Sequence, residues 1–255
     1  MILTFLGTGT SQGVPVIACP CKVCRSSDYR DKRLRTSALV ETDQGTNILI
    51  DIGPDFRQQM LRKQVLHIDA VLVTHAHRDH VAGLDDIRAY NYVQRQPLDL
   101  FGNDVALNAL RRDYGYIFSK HEYPGLPEAT LHTVSSDNPF VAAGVEVLPI
   151  AAMHKDLPIL GYRIGNVAYI TDANYIAPGE MKKLKGVKVM VLNALRVEHH
   201  WSHYSLPEAL EVIAQVQPEH AYLTHASHEL GLYDEVIHTL PEHVTLAYDG
   251  LTVVI

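Results

Sequence analysis

Three imidazoles and a carboxylate fall within six positions in Thr74-His75-Ala76-His77-Arg78-Asp79-His80, directly after the apolar stretch Ala70-Val71-Leu72-Val73. Such side chains are metal donors, and imidazole with carboxylate suits zinc, manganese or iron. Residues 70–73 are predicted to form a buried strand, whose pleat puts His75 and His77 on one side of the chain, able to reach a single ion. Asp79 and His80 follow as the chain turns toward Val81-Ala82-Gly83, so they can face a second ion beside the first. Two such ions side by side activate water against phosphate or carbonyl esters.

All three cysteines lie in Cys19-Pro20-Cys21-Lys22-Val23-Cys24. An odd count packed this closely argues against disulfides and for thiolate coordination of zinc. A closed structural zinc site takes four ligands. The best fourth donor is His228, in Thr224-His225-Ala226-Ser227-His228. A redox cluster and simply buried thiols are the competing readings.

The His-rich run resembles the signature of the metallo-β-lactamase-fold hydrolases, which draw further ligands from separated loops. The resemblance implies that His154, after Val145–Ile150, Asp172, after Val167–Thr171, and His225, after Ala221–Thr224, complete the set. Taken singly, each would read as a capping or surface residue. Together the resemblance puts His75, His77 and His154 on one ion and Asp79, His80 and His225 on the other, with Asp172 bridging. Asp51, in Ile48-Leu49-Ile50-Asp51, matches the fold's early aspartate, expected behind the ligand loop to hold the outer nitrogen of a ligating imidazole. The competing role for Asp51 is capping a helix that starts near Pro54-Asp55.

The cysteine cluster after Gly7-Thr8-Gly9-Thr10, with Thr-His-x-Ser-His near the end, is similar to the phosphoribosyl 1,2-cyclic phosphate phosphodiesterase branch. That likeness runs from Leu3 to Gly250. It implies a structural zinc on Cys19, Cys21, Cys24 and His228, and a catalytic histidine outside the metal set at His203, with Asp79 also counted as catalytic. An imidazole there could protonate a departing alkoxide or steady a phosphoryl oxygen. Solvation of a helix start by His203, or a functional role for His199 or His200 instead, stays open.

Strands are expected near 2–6, 37–41, 46–51, 70–74, 98–101, 145–150, 160–164, 167–171, 187–192, 220–224, 244–247 and 251–255. Helices are expected near 55–63, 84–91, 103–112, 178–184, 205–216 and 230–239. Strands followed by helices on both sides suggest an α/β fold with helix layers flanking two stacked sheets, the αββα sandwich that the resemblance also implies. No linker, low-complexity stretch or solenoid repeat divides the 255 residues, so one hydrolase domain spanning 1–255 is expected. Gly7–Gly13 is followed by no helical pattern and reads as a tight loop beneath the metal site. Lys32-Arg33-Leu34-Arg35 reads as a solvated loop. Arg88 and Tyr90 follow the metal run closely enough to reach substrate, with a salt bridge inside the helix as the plainer role for Arg88.

The first residues lack a basic lead and no apolar run approaches membrane-spanning length; a soluble, cytoplasmic protein with no membrane partner is expected. A net charge of −7 lacks the basic footprint of a nucleic-acid binder, which disfavours the transfer-RNA 3′-processing endonuclease reading. Thioester hydrolysis of the hydroxyacylglutathione type explains neither the cysteines nor His203. A zinc-stabilised binding protein is the alternative outside enzymes. The expected activity is that of a metal-dependent hydrolase, a dinuclear phosphodiesterase. Its cofactors would be two divalent ions, zinc or manganese, in the active site and one structural zinc. Its partner would be a small cyclic phosphate or nucleotide-like diester, with phosphoribosyl 1,2-cyclic phosphate suggested by the resemblance, and there is room for a homodimer.

Overall fold

Ile48-Leu49-Ile50 shows how the chain sorts its apolar side chains. In the computed structural model, which describes residues 1–118 and 125–255, Ile48 and Ile50 enter one core and Leu49 another. Val189 and Val191 likewise face the first core while Met190 and Leu192 turn to a third. Side chains alternate across a strand, so a strand covered on both faces carries an unbroken apolar run. Three cores therefore separate four layers: helix, sheet, sheet, helix. This is the αββα sandwich of the metallo-β-lactamase fold.

The strands are β1 (Ile2–Gly7), β2 (Ser37–Glu41), β3 (Asn47–Ile50), β4 (Ala70–Leu72), β5 (Leu98–Gly102), β6 (Ala129–Thr133), β7 (Phe140–Ala142), β8 (Val145–His154), β9 (Leu157–Ile164), β10 (Val167–Ile170), β11 (Val189–Asn193), β12 (His220–Thr224), β13 (Val244–Leu246) and β14 (Thr252–Val254). Among the described residues they form two seven-stranded sheets, ordered β14-β1-β2-β3-β4-β5-β6 and β13-β12-β11-β10-β9-β8-β7. Each sheet joins antiparallel pairs to a parallel run, β3 to β6 in one and β10 to β13 in the other. Parallel strands end on the same rim, so β3, β4, β10 and β12 deliver Asp51, the His75–His80 run, Asp172 and His225 to one edge of the sandwich. Tyr162 crosses between the sheets there, its hydroxyl donating to Val73 O at 2.6 Å.

Several elements differ from expectation. β6 and β7 are sheet edges, short and partly exposed, with little alternation to betray them. β8 runs on to His154, so that residue ends the strand rather than following it. The stretch 84–91 is no continuous helix: a 3-10 turn, Leu84–Ile87, precedes the helix Arg88–Gln94, and the metal run itself coils at Arg78–Val81. Tertiary bonds impose the break, since Ile52 N donates to His80 O and Gly83 N to Ile52 O. Arg33 is not solvated: 3% exposed, it donates to Ala247 O at 2.8 Å and lies 3.3 Å from Thr8 Oγ1. Among the described residues no helix is long and apolar enough to cross a membrane.

Gly53 holds the turn after Asp51 against the metal run, and a Cβ there would sit 2.2 Å from Asp79 O. Gly53→Ala is expected to cost about 1–3 kcal/mol through overpacking, measured by urea denaturation. Gly179→Ala, in the short helix Pro178–Met181 with nothing within 4 Å of the added carbon, should leave stability unchanged or raise it, because alanine is the better helix former.

Candidate metal centre

Asp51 is fully buried and accepts from Thr74 N at 2.8 Å, Thr74 Oγ1 at 2.8 Å and His80 Nδ1 at 2.6 Å. It caps no helix; the residue before the helix Phe56–Lys63 is Asp55, whose carboxylate takes the Arg35 N–H instead. The hydroxyl of Thr74 is spent on Asp51, so at His75 Nδ1, 3.0 Å away, it can only accept. His154 Nδ1 donates to Ser202 O at 2.8 Å. His225 Nδ1 lies 3.1 Å from Thr36 Oγ1, itself donating to Gly9 O, and 3.1 Å from Asp172 Oδ1. These bonds assign the proton of each ring to Nδ1. In four imidazoles, those of His75, His80, His154 and His225, this leaves Nε2 as the nitrogen free of that proton.

The free nitrogens converge. Ligand atoms of His75, His77 and His154 lie within 4.8 Å of one another, as do those of Asp79, His80, Asp172 and His225. His75 Nε2 and His77 Nδ1 are 3.1 Å apart. Asp172 Oδ2 stands 3.8 Å from His75 Nε2 and 3.3 Å from His80 Nε2, between the two groups. Asn193 fixes the chain just after Asp172, its side chain accepting from Ala173 N and donating to Ala173 O.

The electrostatics fit a cation. His80 is wholly buried, and burial alone would strip its proton, but Asp172, Asp79 and Asp51 together hold its pKa well above the ordinary value. Burial likewise pushes Asp172 up, yet the neighbouring His225 and His80 hold its carboxyl well below the carboxylate range. Burial lowers His225 to about 3. His80 Nε2 is buried with no hydrogen-bond partner, although two carboxylates lie within 3.3 Å. An unsatisfied buried donor or acceptor costs about 1–3 kcal/mol; a divalent ion among these atoms would remove that cost and replace the extra proton.

His203 stands at the mouth of this cluster, its side chain 12% exposed and its Nε2 3.4 Å from Asp172 Oδ2. Its ring stacks on His225 at 5.0 Å and meets His154 edge-on at 4.5 Å. His200 lies behind it, Nδ1 to Nδ1 at 3.2 Å. His199 is on the surface, paired with Glu208. Tyr90 points away, donating to Val65 O, and exposed Arg88 forms no ion pair among the described residues, contrary to the helix salt bridge expected for it. A pocket of about 260 Å³ opens beside His75 and His77, lined by Val105, Ala109, Arg112 and Leu157. A larger apolar cleft, about 890 Å³ between the helices Phe56–Lys63 and Arg88–Gln94, holds none of the donors.

The second cluster gathers Cys19, Cys21, Cys24 and His228, again with ligand atoms within 4.8 Å. His228 Nδ1 lies 3.4 Å from Cys19 Sγ and 3.3 Å from Cys21 Sγ. The Cys24 N–H and then the His228 ring pull the Cys21 thiol down to about 6, whereas burial pushes Cys24 up to about 11. Thr36, Thr74, Asn193 and the Ser202 carbonyl went unread in the sequence. Thr74 alone carried a signal, its place next to the run.

The family model described as a β-lactamase superfamily domain matches residues 46–226. A crystal structure described as a new diphosphatase from the PhnP family is 36% identical, with a TM-score of 0.92 over 100% of this chain and 97% of that one. Zinc-bound PqqB from Methylobacterium extorquens shares the fold, with 18% identity and a TM-score of 0.81 over 100% of both chains. A Porphyromonas gingivalis protein named octanoyltransferase is 44% identical over 251 residues, 98% of this chain but 51% of that protein. The chain thus spans about half the length of that relative.

The thiol environments predict a reactivity difference in metal-free protein. Cys21, lowered to about 6, should alkylate as a thiolate at neutral pH and lose that reactivity as pH falls through about 6. Cys24, raised to about 11, should stay inert over the same range. Peptide mapping after iodoacetamide pulses between pH 5 and 8 reads both; equal labelling of the two would contradict the assignment.

Proposed function

Because the chain belongs to the β-lactamase superfamily of metallo-β-lactamase-fold hydrolases, we propose that it is a dinuclear-metal phosphodiesterase acting on a small cyclic phosphate or nucleotide-like diester. Phosphoribosyl 1,2-cyclic phosphate is the leading candidate substrate. The observation that carries this reading is His203, whose Nε2 reaches Asp172 at 3.4 Å and whose ring nitrogen also lies within 4.8 Å of the ligand atoms of His154 and Asp172; we assign it to the leaving oxygen and not to an ion. In this reading His75, His77 and His154 would hold one ion, Asp79, His80 and His225 the other, and Asp172 would be shared between them. Cys19, Cys21, Cys24 and His228 hold a structural zinc.

Divalent ions in such a site supply Lewis acidity for the phosphoryl oxygens and lower the pKa of the attacking water. The chain's own residues do the rest. Asp51 and Ser202 O fix two of the ligand rings through their Nδ1 protons. Asp79, 11% exposed, accepts a hydrogen bond from the attacking water and orients it. His203, wedged between His154 and His225, presents only Nε2 and gives its proton to the leaving oxygen. The pocket beside His77 has room for a small substrate, and Arg112 lines it.

The net charge of −7 favours a small diester over transfer RNA. The name octanoyltransferase belongs to a protein about twice this length, and a double cluster of metal donors points to hydrolysis of an ester, so acyl transfer is not the activity we propose.

Fully loaded protein should carry about three metals per chain, two exchangeable by a chelator and one retained at the cysteines until harsher treatment. Elemental analysis finding active enzyme with a single metal would end the dinuclear reading.

His203→Ala should lower kcat by roughly 10²–10⁴-fold on a diester with an alkoxide leaving group, with metal content unchanged. The loss should shrink on bis(p-nitrophenyl) phosphate, whose phenolate leaves without a proton. Equal losses on both substrates would assign His203 to phosphoryl-oxygen stabilisation instead.

A further inference from the structure

Backbone–backbone bonds hold the loop carrying His203 at its base, Leu195 N donating to Tyr204 O at 3.0 Å and Leu206 N to Arg196 O at 2.8 Å, and on the side toward the donor cluster the Trp201 and Ser202 carbonyls accept from Asn174 Nδ2 at 3.3 Å and His154 Nδ1 at 2.8 Å. Within the loop lies one guanidinium. Arg196 donates from Nη1 to Glu229 Oε2 at 2.8 Å, from Nη2 to His199 O at 3.0 Å and from Nε to Glu198 O at 3.3 Å. All three nitrogens of the planar fork therefore donate, in a geometry that only arginine offers. The carbonyls it holds immediately precede His200, whose Nδ1 lies 3.2 Å from His203 Nδ1. Glu229, at the other end of the bridge, adjoins His228 of the cysteine cluster.

We propose that Arg196 is a positioning residue for His203: by clamping residues 198 and 199 to Glu229 it sets His200 behind the His203 ring and keeps His203 Nε2 against Asp172. This inference rests on the reading of His203 as the group that acts on the leaving oxygen. Arg196 touches no atom of the donor cluster and acts only through the loop. Its engagement with two carbonyls, and not with Glu229 alone, is what separates positioning from a simple ion pair, because an ion pair is indifferent to which cation supplies the charge.

The test is a double-mutant cycle in the metal-loaded enzyme on an alkyl phosphodiester, with His203 ring resonances followed by NMR. Arg196→Ala should lower kcat by about 10–100-fold, as small misplacements of a catalytic group do, with KM and metal content unchanged. Arg196→Lys, which keeps the charge and protects the fold, should lose nearly as much, since an ammonium cannot serve three fixed acceptors. In the His203→Ala background neither change should add a further loss. Rescue by lysine, or losses that add to that of His203→Ala, would overturn the proposal. If the wild-type enzyme hydrolyses no diester at all, the phosphodiesterase reading fails separately. The NMR arm then decides: displaced His203 resonances in Arg196→Lys sustain the clamp, and unchanged ones refute it.

Discussion

Asp51, Asp79 and Asp172 surround the ring of His80, which is 0% exposed, and burying that much negative charge in one place is the constraint the rest of the structure answers. Unpaired, a buried carboxylate costs several kcal/mol or takes up a proton. The chain meets the cost in two ways. Asp51 is saturated by three donors, so its charge is spent on holding Thr74 and His80. Asp172 Oδ1 accepts from the Thr171 hydroxyl at 2.6 Å and lies 3.1 Å from His225 Nδ1, which leaves Asp172 Oδ2 and Asp79 facing His80 Nε2 at 3.3 and 3.2 Å. The sandwich supplies the rigid frame that keeps these groups from relaxing apart, with Tyr162 tying the second sheet to Val73 directly before the metal run.

The two donor clusters differ in kind. The cysteine group is three thiols and one imidazole on a loop stapled to the far end of the chain, with Lys22 paired to Glu235 and Arg30 stacked over Tyr233 nearby. Three soft sulfur donors and one imidazole are the four ligands that a closed structural zinc site takes, and a metal held there would contribute to folding. The histidine–aspartate group has more donors, a hydrogen-bonded support behind them and an open side occupied by His203. Closed and supported by loops, or open and supported by strand ends, is the physical difference between the two groups of donors.

How much of this was legible in the sequence follows the distance along the chain over which the information is spread. The run 75–80 and the cysteines 19–24 announce themselves because their spacing is the chemistry. His154, Asp172 and His225 are single polar residues at strand ends, and only a family resemblance singled them out. Thr36 serves His225 across 189 positions and Asn193 serves Asp172 through a backbone contact; no local pattern marks either. Arg33 looked like part of a basic surface run because burial of an arginine depends on carbonyls brought from residue 247. The edge strands β6 and β7 escaped because an edge half open to water needs no apolar alternation.

Backbone geometry explains why these particular residue types stand at the strand ends. Asp51, Asp172 and His225 all adopt left-handed conformations, at φ 61°, 61° and 56°, where the chain must leave its strand sharply to aim a side chain over the rim. Non-glycine residues there carry roughly 1–3 kcal/mol of strain, and aspartate and histidine are among the few types enriched in that region. Glycine would relieve the strain and remove the donor. Alanine would keep the strain and still remove the donor. The conformation that turns the chain out of the sheet and the chemistry that gathers cations thus select the same side chains.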